Sequence, residues 1–290
     1  GNMGNVYRKQ GNYAKAMDCY GKQLKISEEL GDKSGISTAV GNMGLIYKSQ
    51  GNYAKAMECY GKQLKISEEL GHKIGISIAV GNMGNVYSNQ GNYAKAMECY
   101  EKDLKISEEL GDKSGISIAV GNMGNVYRKQ GNYAKAMECY EKVLKIDYEL
   151  DLKPYLPEDL SGKSNCLYKM QKYTKAKEFN EKCYVAAKEF DNKESLFSSL
   201  VLKEKINFKL SKNNNIKIQC INSLESLLKD QKEENIATIN YELAIMNSEL
   251  RRNKKTKKHK REAIRLYNKL YKKTPKIEYK NKIEELAKLR

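Results

Sequence analysis

The sequence predicts an all-α solenoid, in which antiparallel helix pairs stack side by side. A phrase that begins GNMGNVY at Gly1 returns with few changes at Gly41, Gly81 and Gly121, a spacing of 40 residues. Within each copy, apolar residues recur at intervals of three, four and seven, which is typical of a helix buried on one face. One helix pair cannot bury its apolar face alone, so neighbouring copies must stack to build the core.

The first helix of each copy is predicted over residues 33–50 and their equivalents. Its apolar stripe consists of Ala39, Val40, Met43, Gly44, Ile46 and Tyr47. Gly44 leaves room for a neighbouring backbone to approach this helix closely. The dipeptide Gly51-Asn52 then interrupts the helix, and Asn52 is a favourable N-cap for the next one.

The second helix of each copy is predicted over residues 53–70. Its apolar stripe consists of Tyr53, Ala56, Met57, Tyr60, Leu64 and Leu70. Gly71 follows as the glycine that ends a helix in a left-handed conformation. Each of the two helices has about 17 residues and is about 25 Å long.

After residue 150 the 40-residue phase breaks at residues 151–157, which hold two of the three prolines. Worn helix pairs follow: a second helix within 166–194, then 196–212 with 216–229, 236–252 with 260–273, and a terminal capping helix at 277–289. We therefore predict near-identical repeats over 1–150, the first truncated, and degenerate pairs with basic C-terminal capping helices over 151–290. One continuous superhelix is expected, with a hinge near Pro154 as the alternative. Because the sequence starts in mid-repeat, we expect an upstream part.

The recurring pattern N-x-G-N-x-Y…G-N-Y-x-K-A-M…Y resembles the tetratricopeptide repeat. Its 40-residue length resembles the repeats of Pins-type adaptors and kinesin light chain. Val40, Val80 and Val120 stand where the family often has Trp, and Gln63 where it often has Ala. The resemblance implies a right-handed superhelix of stacked antiparallel pairs, whose first helices line a concave groove that binds peptides.

By this resemblance, one polar stripe on the first helices would line the groove. The polar stripe consists of Asn2, Asn5, Arg8, Lys9, Asn42, Lys48, Ser49, Asn82, Asn85, Ser88, Asn89, Asn122, Asn125, Arg128 and Lys129. An Asn amide can both donate to and accept from a peptide bond, and Arg or Lys can pair with a carboxylate. The alternative is that these residues cap turns or solvate an empty groove. Relatives that clamp a peptide C-terminus tend to have Lys where Gly41, Gly81 and Gly121 stand, so no such clamp is expected.

Charge is uneven along the chain, whose formal net charge is +17. Residues 1–150 carry 20 Lys and Arg against 17 Asp and Glu, whereas residues 151–290 carry 33 against 19. The basic segment consists of Arg251, Arg252, Lys254, Lys255, Lys257, Lys258, Lys260 and Arg261. It could bind nucleic acid, an acidic protein or an anionic membrane, or it could be a solvated turn and helix face. It lacks the interleaved aromatic residues that stack on single-stranded nucleic acid.

No catalytic, metal or cofactor site is predicted. The strings GNMG and Ser161-Gly-Lys-Ser164 imitate nucleic-acid and phosphate-binding loops, but each lacks the required structural context. His72 and His259 are too far apart in sequence to indicate a zinc site, and no C-x-x-C is present. Cys19, Cys59, Cys99 and Cys139 recur with the repeat, so we expect small buried thiols rather than disulfides. The paired carboxylates at Glu28 and Glu68 are interpreted as a solvated face.

The predicted function is a non-catalytic scaffold that binds a peptide or helical segment of a partner protein. One alternative is a sensor or regulatory arm of a larger signalling protein, and another is nucleic-acid binding through the basic segment. No run of residues is long and apolar enough to span a membrane, and no signal segment opens the sequence, so a soluble cytoplasmic protein is expected. The sequence predicts neither the identity of the partner nor the oligomeric state.

Overall fold

The computed structural model describes residues 2–229 and 231–289 and is helical almost throughout. The helices follow one another in antiparallel pairs joined by short turns, which confirms the predicted all-α solenoid class. They are α1 Asn2–Lys9, α2 Tyr13–Glu29, α3 Lys33–Ser49, α4 Tyr53–Glu69, α5 Lys73–Asn89, α6 Tyr93–Leu110, α7 Lys113–Lys129, α8 Tyr133–Glu149, α9 Leu156–Lys169, α10 Tyr173–Glu189, α11 Lys193–Leu210, α12 Asn214–Ser226, α13 Glu233–Glu249, α14 Asn253–Lys273 and α15 Ile277–Lys288. A short 3-10 helix, Lys153–Tyr155, precedes α9.

The turns between helices repeat the same hydrogen bonds. The Asn52 side chain accepts a hydrogen bond from the Lys55 backbone amide at 3.2 Å, which caps α4 as predicted. At the other turn, Asp112 accepts from the Gly115 amide at 3.0 Å and Gly111 has a φ of 66°. The left-handed conformation lets the glycine reverse the chain without a Cβ clash. These local signals set the helix ends.

Large tyrosines and small residues alternate in the core of the repeats. The side chains of Tyr20, Tyr60 and Tyr100 are almost completely buried. A Cβ on Gly84 would lie 2.6 Å from the ring of Tyr100, so this glycine makes room for the tyrosine of the next helix. The packing is therefore complementary in shape, and it recurs because the residues recur.

The degenerate helix pairs after residue 150 keep the same left-handed turn, but without a glycine at that position. Asp151, Gln171, Asp191 and Arg251 have φ values of 55°, 59°, 49° and 55°, in the region where the early repeats have glycine. A residue with a Cβ is strained in this conformation. The later pairs therefore tolerate turn strain that the early repeats avoid.

Three details differ from the sequence-based expectations. Helix α14 begins at Asn253 instead of residue 260, because Thr256 and His259 turn inward and extend its buried face by two turns. Leu70 is 45% exposed, since it ends α4 beyond the packed stripe. The four repeated cysteines, including Cys59, are only partly buried, whereas buried side chains were expected.

The chain forms two compact units, one up to Asn122 and the other from Met123 onwards, so the boundary lies within α7. In the first unit, each helix packs against its neighbours in sequence, as α4 does against α3 and α5. In the second unit, Phe208, Ile221, Leu224 and Ile239 centre one core cluster, formed by α11, α12 and α13. A further cluster around Tyr267 joins α13, α14 and α15.

Candidate functional site

The residues of the polar stripe that belong to the first unit lie on α1, α3, α5 and the start of α7. Asn42, Asn82 and Asn122 are half-buried, with no hydrogen bond to another described residue. Their amide groups are therefore accessible at the surface of successive helices. Two serines of the stripe, near the ends of their helices, are less accessible to a ligand. The Ser49 hydroxyl donates to the Leu45 carbonyl of the same helix at 2.9 Å, and Ser88 is buried.

Three further asparagines, Asn5, Asn85 and Asn125, are oriented by buried tyrosines, and we call them the asparagine row. The Tyr20 hydroxyl donates to the Asn5 side-chain oxygen at 2.7 Å, and Tyr100 donates to Asn85 at 2.9 Å. In the second unit, Tyr140 donates to Asn125 at 2.8 Å. Because the amide oxygen is occupied, each side-chain nitrogen is left to donate. Sequence reasoning selected these asparagines but missed the tyrosines that hold them.

The second repeat lacks this pair, because Leu45 stands where the other repeats have Asn. The hydroxyl of Tyr60 is buried and has no hydrogen-bond partner among the described residues. Alignment of the four repeats would have revealed the missing asparagine, since Leu45 is 40 residues from both Asn5 and Asn85. A buried hydroxyl without a partner is rare in folded proteins.

Arg8 lies within electrostatic range of this hydroxyl, and Lys48 lies within electrostatic range of Arg8. Burial lowers the pKa of Lys48, and the positive charge of Arg8 lowers it further. Burial also raises the pKa of Tyr60, an effect that Cys59 adds to and that the charge of Arg8 opposes. Arg8 therefore lies within electrostatic range of both Lys48 and Tyr60. Within the part of the chain that the structure describes, neither Arg8 nor Lys48 forms an ion pair.

In the second unit the equivalent cations are balanced. Arg128 donates to the Tyr140 hydroxyl at 3.3 Å and to the Asn125 side chain at 3.4 Å. Burial lowers the pKa of Arg128, but Tyr140 and the carboxylate of Glu278 outweigh it and raise the pKa overall. Lys282 does most to lower the pKa of Glu278 to about 2, with Lys129 and Arg128 adding to the effect against burial.

Glu278 on α15 thus lies within electrostatic range of the last turn of α7, which belongs to the second unit. Glu278 keeps 55% of its side-chain surface exposed, so the carboxylate is solvated and yet surrounded by charges from both helices.

The stripe continues on α11, where sequence reasoning did not follow it. Lys205 pairs with Glu242 at 2.7 Å, and both side chains are nearly buried. Lys209 pairs with Glu249 at 2.6 Å. The two lysines lie 80 residues after Asn125 and Lys129, so the repeat spacing could have identified them.

The basic segment occupies the start of α14. Lys255 pairs with Glu225 at 3.6 Å, and Lys260 donates to the Leu289 carbonyl at 2.7 Å. Arg252 is half-buried. The exposed cations of the segment are Arg251, Lys254, Lys257, Lys258 and Arg261. Four of these, Lys254, Lys257, Lys258 and Arg261, recur at helical spacing and form the basic face of α14. This face contains fewer residues than the whole basic segment.

The described residues contain no group of His, Cys, Asp and Glu arranged to hold a metal ion. Ser161-Gly-Lys-Ser164 lies inside α9 rather than in a loop, and Lys163 pairs with Glu141 at 3.1 Å. In the described part of the chain, the helices are all too short or too polar to cross a bilayer.

Comparison with solved structures shows the same fold in other proteins. The quorum sensor NprR from B. thuringiensis aligns with a TM-score of 0.74 at 20% identity, over 91% of this chain and 74% of that one. Aspartyl phosphate phosphatase F from Bacillus subtilis aligns with a TM-score of 0.72 at 16% identity, over 91% and 68%. The Rap conjugation gene regulator of plasmid pLS20, in complex with the Phr* peptide, aligns with a TM-score of 0.72 at 15% identity, over 99% and 74%. A search of curated protein sequences finds no match.

The repeats themselves identify the family. A sequence profile described as tetratricopeptide repeat matches residues 1–69 and 76–149. Its two matches cover the near-identical repeats, in which the helix pairs, the Asn caps and the tyrosine–glycine packing recur. The repeats within residues 1–149 belong to the tetratricopeptide repeat family.

Proposed function

We propose that this chain is a non-catalytic scaffold that holds a peptide or helical segment of a partner protein along the polar stripe. The observation that carries the proposal is the row of asparagines whose side-chain oxygens are occupied by tyrosine hydroxyls. Their amide nitrogens can donate to backbone carbonyls of an extended chain. The same fold holds the Phr* peptide in the pLS20 Rap regulator, which supports a peptide as the ligand.

The test is selection of binders from a library of random displayed peptides, followed by measurement of their dissociation constants. A variant with Asn5, Asn85 and Asn125 replaced by Leu should bind the selected peptides about tenfold or more weakly. Leucine is a suitable replacement because Leu45 occupies this position in the second repeat of the same chain. Circular dichroism checks that the variant remains helical.

A matched control carries Gln at Lys254, Lys257, Lys258 and Arg261. These residues form the exposed basic face of α14. Unchanged peptide affinity in this control supports the stripe as the binding surface. The proposal is contradicted if only this control loses affinity for the peptides. It is also contradicted if the selected peptides bind the Leu variant as tightly as the wild type.

Nucleic-acid binding through the basic face of α14 is the alternative that charge favours. Its signature would be an affinity for oligonucleotides that falls steeply with added salt and disappears in the α14 variant. A sensor role within a larger protein is a further alternative, supported by the quorum sensor among the proteins of this fold. One protein of this fold is named a phosphatase. Phosphatase turnover by this chain would contradict the non-catalytic part of the proposal.

A further inference from the structure

An elongated cleft lies among α10, α11 and α12 of the second unit, where the proposed function uses no residue. The part between these helices has a volume of about 540 Å³, which is typical of ligand sites. A second part of about 410 Å³ lies at the turn between α9 and α10. Leu210, the last residue of α11, lines both parts, so they adjoin there. We call the two parts together the Leu210 cleft.

The cleft coincides with a change in the turn after α11. Gly51 and Gln171 have a positive φ at the equivalent place in their turns, whereas Ser211 is extended, with a ψ of 135°. Helix α12 also packs against α11 less extensively than α10 packs against α9. The Asn213 side chain accepts from the Asn215 amide at 2.8 Å, and the Asn213 amide donates to the Ser211 hydroxyl at 3.0 Å. These hydrogen bonds hold the wider turn, so the cleft is preformed.

The cleft belongs to a different face of α11 from the continuation of the polar stripe. Lys203, Asn207 and Leu210 line the cleft and are spaced by four and three residues, so they share one side of the helix. Lys205 and Lys209 follow Lys203 and Asn207 by two residues, about 200° around the helix axis, and pair with carboxylates of α13. A ligand in the cleft would therefore leave the stripe accessible.

Two aliphatic side chains of the cleft are accessible to a ligand. Leu210 and Ile216 both line its larger part, and they are 44% and 45% exposed. Apolar ligand atoms that cover these side chains would remove their surface from water, which favours binding. The centre of the cleft is therefore suited to an apolar group.

Positive charge surrounds this apolar centre. Four exposed lysines line the cleft and form no ion pair with a described residue: Lys172, Lys175, Lys177 and Lys203. Glu204 is the one carboxylate among the described residues that line either part. The net charge of the lining is therefore positive, and it attracts anionic groups.

Shape and chemistry together favour a segment of a protein chain as the ligand. An elongated cleft suits a chain better than a compact small molecule, and a bilayer surface is too broad to enter it. A nucleic acid backbone would pair with the lysines but would leave Leu210 and Ile216 without an apolar partner. We propose that the Leu210 cleft docks an acidic segment of a partner protein, which places an apolar side chain against Leu210 and Ile216 and pairs its carboxylates with the surrounding lysines.

The test begins with a library of random displayed peptides, selected on the wild-type chain and counter-selected on Leu210→Gln. Glutamine suits the fold at this position, because Gln50 occupies the equivalent place in an early repeat. The selected peptides should carry Leu, Ile, Met or Phe next to Asp or Glu. Replacing the apolar residue by Ser, or the acidic residues by Asn or Gln, should weaken binding about tenfold.

A double variant, Lys177→Gln with Lys203→Gln, tests the charge of the cleft. It should bind the selected peptides about tenfold more weakly than the wild type, whose own affinity should fall with added salt. Val185→Gln and Lys145→Gln are matched controls, since they change an exposed apolar residue of α10 and an exposed lysine of α8 that do not line the cleft. Both should keep the full affinity, and circular dichroism checks that every variant remains helical.

The outcomes separate this inference from the proposed function. Peptides without acidic residues, or full affinity in the double lysine variant, would overturn it, as would failure to select any peptide that distinguishes the wild type from Leu210→Gln. Binding of a duplex oligonucleotide or of phosphatidylserine vesicles that Leu210→Gln abolishes would assign the cleft to that ligand instead. The variant with Leu in the asparagine row should bind the cleft peptides as tightly as the wild type, so either proposal can fail alone.

Discussion

At the residue scale, the tyrosine–asparagine hydrogen bond connects folding to the proposed binding surface. It fixes an exposed amide by attaching its oxygen to a hydroxyl that is itself held in the core, as between Tyr100 and Asn85. Tyr60 has lost this partner to Leu45, so the first unit carries a buried donor that costs stability.

Leu45→Asn should repair this defect. The new amide oxygen can accept from the Tyr60 hydroxyl, so the free energy of unfolding should rise by about 1 kcal/mol. Urea denaturation of the variant and of the wild type measures the difference. Asn85→Leu is the matched reverse change and should lower stability by a similar amount. Equal stability of all three proteins would show that the hydroxyl is satisfied in another way.

A second residue-scale prediction concerns Asp159 on α9. Burial raises its pKa from 3.8 to about 8, and the nearby carboxyls of Asp147 and Glu158 add to the shift. The folded protein therefore binds this proton more tightly than the unfolded chain. Stability from this group is complete below about pH 4 and is lost as the pH rises towards 8.

Asp159→Asn should remove that pH dependence, because an amide stays neutral and can still donate to Asp147. Urea denaturation at pH 5 and pH 8 measures the effect. The variant should be more stable than the wild type at pH 8 and closer to it at pH 5. The same pH dependence in both proteins would contradict the account.

At the scale of the element, the helix ends differ between copies in ways that predict stability. Asp32 and Asp112 cap α3 and α7 by accepting from glycine amides, each at 3.0 Å. His72 stands at the equivalent position before α5 and makes no side-chain capping bond. His72→Asp should therefore stabilise the first unit by about 1 kcal/mol. The denaturation midpoint checks this, and Asp112→His should show the opposite change.

The left-handed turns allow a similar comparison. Gln171 has a φ of 59°, whereas Gly91 occupies the equivalent place in an early repeat with a φ of 80°. Gln171→Gly should raise the free energy of unfolding by up to about 1 kcal/mol, because it relieves the Cβ strain. Gly91→Gln should lower it. Opposite signs in thermal unfolding would show that other contacts dominate these turns.

Periodicity made the early elements predictable and left the later ones less so. The prediction of a helix over residues 33–50 agrees closely with α3, since glycine and asparagine mark its ends. The start of α14 was missed because its first turns are nearly all basic, and only Thr256 and His259 face inward. Polar residues that pack through hydrogen bonds, as His259 does with Asn240 at 2.8 Å, leave no apolar pattern to detect.

The sequence predicted which residues form the candidate site more fully than it predicted how they are arranged in space. Its asparagines follow from repeat spacing, but the electrostatic interaction of Glu278 with Arg128 joins residues 150 positions apart. It depends on how the helix pairs between them stack, and no single residue encodes that stacking. Such partners emerge only from the three-dimensional structure.

At the scale of the whole molecule, a stack of repeats should tolerate the removal of one. Deleting residues 81–120 joins Val80 to Gly121, which restores the repeat sequence without a break. The shortened chain should stay helical. Its free energy of unfolding should fall by the contribution of one repeat and of one interface between repeats. Circular dichroism and urea denaturation measure both. Complete loss of helical structure would show that the repeats do not act as modular units.

The most direct test of the central claim is photo-crosslinking of a selected peptide to the intact chain, with the modified residues identified by mass spectrometry. If the polar stripe is the binding surface, crosslinks will map to α1, α3, α5 and the start of α7, near Asn42, Asn82 and Asn122. Excess unlabelled peptide will suppress them. Crosslinks confined to α14 or to the outward faces of the second helices would contradict the account.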